Sequence, residues 1–208
     1  MTKDAKKDSI ILDESKDMLN EAMNMLKIAL SKVPKDFHKI KMNKDEERYR
    51  ERIFCYELYH RFRCLMKNDN DIIFHDITLH GELDKKGNKN YNGEIPDFVL
   101  HSPGDNDRNL FIVEVKVNPE GDIEGDLKKL IEFVGHHKYQ HGVLICVTDG
   151  NNKEKYIENI SKSWSEISCL CKKDVQSKIS VLIKDNESVE YEYKPITEII
   201  LLPEIEGL

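Results

Sequence analysis

Apolar residues recur along this chain with two different periods, and the points where the period switches mark out its elements. Between residues 14 and 33, Leu19, Met23, Leu26 and Leu30 fall at i, i+4, i+7 and i+11, and Pro34 closes the run, which predicts an amphipathic helix. A second helix is predicted from about Asp45 to Lys67, with Phe54, Leu58, Phe62 and Leu65 as its apolar stripe. Glu57 lies beside that stripe, on a row with Ile53, His60 and Cys64, and so points along the border of the packed face.

From residue 72 the period becomes two. Ile72–Asp84, Pro96–His101 and Leu110–Val117 read as strands, separated by the turn-rich segments KKGNKNYNGE and SPGDNDRN, which together predict a three-stranded antiparallel meander. The helical period then returns in GDIEGDLKKLIEFVG, where Ile123, Leu127, Leu130, Ile131 and Val134 share a face, and the apolar strand GVLICVT follows at 142–148. A strand, crossover helix and strand pair in parallel, so Val143–Thr148 is expected beside Leu110–Val117. Residues 153–173 predict another helix through Tyr156, Ile160, Trp164, Ile167 and Leu170. Ile179–Lys184 and Ser188–Tyr193 predict a hairpin around DNES, and PITEIILLPEIEGL a weakly structured tail. The order α, α, β, β, β, α, β, α, β, β is that of a mixed α/β fold, a sheet sandwiched between helices.

Composition narrows the class. The 208 residues suffice for one core, so the expected division is an N-terminal helical extension at 1–44 and a main domain at 45–208. With 39% hydrophobic and 34% charged residues, wholesale disorder is excluded. No apolar run spans a bilayer and MTKDAKKDS has no apolar signal-peptide region, so a cytoplasmic protein without a membrane partner is expected. Five cysteines without a CxxC pair predict reduced thiols and no zinc ribbon, and His136, His137 and His141 in GHHKYQHG read as a polar loop. GxxxxGKS/T, GxGxxG and GxSxG are all missing from the chain, which removes the common signatures of nucleotide enzymes and serine hydrolases. The net charge of −7 argues against non-specific coating of nucleic acid. Residues 32–67 nevertheless hold eleven Lys or Arg against six Asp or Glu, a local +5 that fits a solvated helix face as well as a phosphate-binding surface.

The candidate chemistry sits in IPDFVLHSPGDNDRNLFIVEVKV, residues 95–117. Alternation in FIVEVKV sends Phe111, Val113, Val115 and Val117 to one face and Ile112, Glu114 and Lys116 to the other. Asp97 begins the preceding strand, and a hairpin closing through residues 101–109 brings that end alongside Glu114. Charges inside apolar strands are costly unless a partner or a metal balances them. Two carboxylates can hold Mg²⁺ through oxygen while it keeps waters, and an adjacent ammonium can orient one of those waters or balance charge developing at phosphorus. A solvated cross-strand pair of Glu114 with Lys116 is the bland alternative.

Asp97 after Pro96, then Glu114-Val115-Lys116, behind a helix carrying Glu57 in RIFCYELYHRF, resembles the PD-(D/E)xK phosphodiesterase superfamily, over roughly residues 45–150. The resemblance implies a restriction-endonuclease-like core and a nuclease dependent on Mg²⁺ or Mn²⁺. It implies Asp97 and Glu114 as metal ligands, Lys116 assisting the attacking water, and Glu57 completing the site. Glu82 with its neighbour Lys85, and Tyr139 and His141 after the next helix, are secondary candidates. The implied partner is nucleic acid, DNA ahead of RNA, with a homodimer left open. Tyr56, Tyr59 and Phe62 could stack on bases, although their helical spacing favours core packing. A catalytically silent member of the fold, serving as a binding module, is the competing reading.

Overall fold

Why one face of each helix is apolar becomes plain once the layers are assembled. The computed structural model describes residues 3–44, 46–69, 74–82, 95–186 and 190–199. Helix α1 (Lys3–Ser31) leads through a short 3-10 turn into β1 (Lys39–Asn43) and β2 (Glu46–Tyr49), which pair antiparallel as a separate ribbon. Then come α2 (Glu51–Asp69), β3 (Thr78–Gly81), β4 (Phe98–Ser102) and β5 (Asp105–Lys116). They are followed by α3 (Ile123–Gly135), β6 (His141–Thr148), α4 (Lys153–Ile167) and α5 (Lys173–Gln176). The described chain closes with β7 (Ile179–Asp185), β8 (Tyr191–Pro195) and α6 (Ile196–Ile199).

Strands β3 to β8 form one six-stranded mixed sheet in sequence order. The β5–β6 and β6–β7 pairs are parallel, because α3 and α4 carry the chain back across the sheet, and the other three pairs are antiparallel. Val113 stands opposite Val143 and Lys116 opposite Cys146, the pairing that a crossover through α3 predicts.

The pleat divides β5 between two cores. Phe111, Val113, Val115 and Val117 pack beneath α1 and α2, against Leu26, Leu30, Phe54 and Leu58. Ile112 faces the other way, into a core closed by Leu127 and Leu130 of α3 and by Tyr156, Ile160 and Trp164 of α4. Each such large side chain taken out of water stabilises the fold by about 1.5–3 kcal/mol.

Several boundaries differ from the sequence reading. Helix α2 starts at Glu51 and not near Asp45, since residues 39–49 make the β1–β2 ribbon. The division expected after residue 44 therefore falls between two strands that pair with each other, and α1 shares a core with α2 and the sheet. The helix expected to run to residue 173 stops at Ile167, and the short α5 follows. In the expected tail, Ile196 and Ile199 are buried one turn apart on α6. Of the strand expected over 72–84, residues 78–81 form β3, and residues 72, 73, 83 and 84 lie outside the described part. Among the described residues, no helix is long and apolar enough to cross a membrane.

Candidate metal and catalytic site

Register builds the site. Phe98 pairs with Val113 and Val99 with Ile112, so one further step sets Asp97 opposite Glu114. Val99 and Ile112 belong to the α3 side of the sheet, which places Asp97, Glu114 and Lys116 on that side as well. Asp97 Oδ2 accepts a 2.7 Å hydrogen bond from the Val115 amide, tying the head of β4 to the middle of the charged run.

Two residues of α3 complete the cluster. Lys129 Nζ lies 2.6 Å from Glu114 Oε2 and 3.1 Å from Asp126 Oδ1, and Asp126 Oδ2 lies 2.8 Å from Lys116 Nζ. Glu51, the first residue of α2, approaches Lys116 from the opposite layer at 3.5 Å. Four carboxylates thus face two ammonium groups, a formal surplus of two negative charges.

Burial makes that surplus costly. Glu114 is 1% exposed, and its Oε1 has no hydrogen-bond partner. Its carboxyl pKa is raised well above the ordinary range, first by burial and then by the Asp97 carboxylate, with Lys129 opposing. Asp97 is raised by burial against the Val115 amide and Lys129, and Glu51 by burial against Lys116. For Lys116, burial acts to lower the pKa, yet Asp126 and Glu51 outweigh it and leave the ammonium raised.

The end of β5 is clamped from both faces. Tyr156 of α4 donates its hydroxyl to the Lys116 carbonyl at 3.1 Å, and the buried His38 ring meets the Val117 carbonyl at 3.0 Å. Beside Asp97 a cleft of about 320 Å³ opens, walled by Glu51, Arg52, Tyr56 and Tyr59 of α2 and by Gly81 and Glu82.

The remaining sequence candidates distribute as follows. Glu57 is not the α2 carboxylate that meets the cluster: it pairs with Arg61 one turn on, at 2.6 Å. Six residues separate it from Glu51, about 240° around a helix, so the two cannot face the same partner. Glu82 lines the cleft, donates its amide to the Asp97 carbonyl at 3.0 Å, and pairs with Arg52 at 3.0 Å. Its φ of 46° is left-handed, uncommon for a residue with a side chain. Lys85 lies outside the described residues. His141 opposes Phe111 in the β5–β6 register, five residues from Lys116 and about 16 Å along the strand. It bonds Ser180 Oγ at 2.8 Å, and Tyr139, two residues before it, is buried against Phe133. Phe62 and Tyr59 pack on Phe111 and Phe98, whereas Tyr56, expected in the core, is 60% exposed at the cleft.

Asp126 and Lys129 are not among the residues that the sequence pattern singles out. A signal for Asp126 existed: it interrupts the buried face of α3 that includes Ile123, Leu127 and Leu130. Among the described residues, no three His, Cys, Asp or Glu side chains converge to hold a metal ion. Mg²⁺ needs fewer, since it keeps most of its waters and is held by one or two carboxylates, and the partnerless Glu114 Oε1 beside Asp97 suits that mode. The chain matches no family model, no curated protein and no solved structure.

Proposed function

We propose that the protein is a Mg²⁺- or Mn²⁺-dependent nuclease with a restriction-endonuclease-like core, hydrolysing phosphodiester bonds of nucleic acid, DNA ahead of RNA. One observation carries this reading. A buried glutamate with a bare oxygen stands across two paired strands from an aspartate on the same face, and a lysine follows two residues on. Lys129 meets Oε2 of that glutamate and leaves Oε1 bare, and a divalent cation would balance the charge that remains.

Asp97 and Glu114 would hold the ion. When bound, the ion supplies a polarised phosphoryl oxygen and a water of lowered pKa. The protein's own contribution lies in Lys116. With its pKa raised by Asp126 and Glu51, Lys116 stays a charged donor at neutral pH. It therefore suits orienting the water or stabilising the charge that develops on the phosphate, and is unsuited to act as a general base. Asp126 and Glu51 fix its head, the Tyr156 hydroxyl holds its carbonyl, and His38 holds the carbonyl of the next residue, Val117. The cleft beside Asp97 gives substrate an approach to the carboxylates.

A silent binding module is the second reading, favoured by the Lys129–Glu114 pair, which partly neutralises the cluster without a metal. The deciding experiment incubates the full chain with single-stranded, duplex and branched DNA and with RNA, with Mg²⁺, Mn²⁺ or EDTA. Wild type is expected to cleave at least one substrate only with metal, and Asp97→Asn and Glu114→Gln to cleave none. Cleavage retained in both variants, or none by wild type on any substrate, would leave the binding module in front.

A further inference from the structure

Lys129 holds one oxygen of the carboxylate on which the proposed reaction places its metal. Its ammonium sits 2.6 Å from Glu114 Oε2, on a residue only 1% exposed, where water has little access to take its place. We infer that Lys129 is a resident counter-ion: it occupies the electrostatic place of the divalent cation on Glu114 and yields it when the ion binds. The inference rests on the metal site proposed above.

Geometry separates the two lysines of the cluster. Lys116 contacts Asp126 Oδ2 and Glu51 Oε1, so an ion arriving at Glu114 takes no partner from it. Lys129 is paired with Oε2 of Glu114 itself, so an ion on the bare Oε1 of the same carboxylate repels it at close range. Lys129 can leave at low cost for two reasons. Its side chain is 21% exposed, so the ammonium can swing outward on its flexible stem while α3 stays in place. Asp126 Oδ1, already 3.1 Å away, keeps a partner on it after it lets go of Glu114. The exchange thus swaps one cation for another at Glu114 and never strands a buried charge, which is the costly alternative. Lys129 is a positioning residue in this scheme, acting through Glu114.

The test is a Mn²⁺ titration of the full chain at pH 8, by calorimetry, for wild type, Lys129→Met and Lys129→Arg. Removing a unit positive charge a few ångströms from the ion is expected to tighten Mn²⁺ binding about tenfold in Lys129→Met. Lys129→Arg, which keeps the charge, is expected to match wild type. A purely structural lysine would lower the melting temperature and leave ion affinity unchanged. In wild type, the Lys129 ammonium NMR signal, assigned by its loss in Lys129→Arg, is expected to broaden as Mg²⁺ saturates. That measurement stands even if Lys129→Met fails to fold. Mn²⁺ binding by wild type with unchanged or weaker binding by Lys129→Met, or an ammonium signal indifferent to Mg²⁺, overturns the exchange and leaves the metal site intact. No Mn²⁺ uptake by any of the three overturns the metal site, and the exchange with it.

Discussion

Glu114→Gln should make the metal-free protein more stable. The glutamate is 1% exposed, its Oε1 has no partner, and Asp97 carries a like charge beside it. Glutamine keeps the shape, loses the charge, and can turn its amide NH₂ toward Asp97 while its oxygen still accepts from Lys129. The loss on the other side is small, because Lys129 retains Asp126 at 3.1 Å. Neutralising the carboxylate removes part of the several kcal/mol that an ion taken out of water costs, and the lysine keeps a partner in Asp126. Taking about 2 kcal/mol, and roughly 2–4 °C per kcal/mol for a chain of this size, the melting temperature should rise by about 4–8 °C. The sign of the pH dependence follows from the raised carboxyl. A folded-state pKa above the unfolded one gives stability that is complete below the unfolded value and lost as pH rises through the folded value. The advantage of glutamine should therefore vanish near pH 4.5 and grow toward pH 8. Melting curves in EDTA at both pH values measure it. Saturating Mn²⁺ should then reverse the order, since an ion at a hundred times its Kd stabilises only the wild type, by about 2.7 kcal/mol. A variant less stable than wild type at pH 8 in EDTA, or an advantage independent of pH, would refute the claim that Glu114 stores an unbalanced charge.

Lys116→Ala should lower cleavage by roughly 10²–10³ and leave metal-free binding of nucleic acid intact, since one electrostatic stabiliser is lost at the reacting phosphate; single-turnover cleavage and anisotropy titration check the two halves. His141 has its pKa lowered to about 4, by burial and then by Lys27. A depressed histidine contributes stability that is present above its unfolded value and lost as pH falls toward the folded one, so about 3 kcal/mol should disappear between pH 6.5 and 4. In His141→Gln, urea titrations across that range should show a smaller loss. Leu26→Ala, on the N-terminal helix α1, should destabilise the whole protein by about 2–5 kcal/mol in a single cooperative transition, because Leu26 is 1% exposed in the core shared with the sheet.

What could be read from the sequence was whatever the pleat and the helical period impose. Glu114 and Lys116 stand out because FIVEVKV places two charges on the Ile112 side of an otherwise apolar strand, and the β5–β6 pairing follows from a crossover helix between apolar strands. Neither strand of the β1–β2 ribbon has a buried residue to impose a period, and the charged run of β2 reads as the start of the following helix. Position beside the apolar stripe points to Glu57 and carries no information on where the helix begins. A carboxylate reaches the end of β5 from the first turn of α2, where Glu51 stands, and that turn is hidden behind the charged ribbon that precedes it. Asp126 and Lys129 meet Lys116 and Glu114 only once α3 has crossed the sheet, a contact that no local pattern encodes.

The double clamp on β5 has a kinetic consequence. The glutamate and lysine sit on an interior strand paired on both sides, with Tyr156 and His38 bonded to its end, whereas the cleft's far wall is β3, four residues that among the described residues pair with β4 alone. Local unfolding begins where paired backbone is shortest, so fluctuations that peel β3 from β4 cost far less than any that disturb β5. Under the proposed nuclease function, fraying of that edge admits a polymer substrate while the charged centre stays registered to within its hydrogen bonds. Amide hydrogen exchange should show the two rates directly, fast at Thr78–Gly81 and approaching the global unfolding limit at Val113–Lys116.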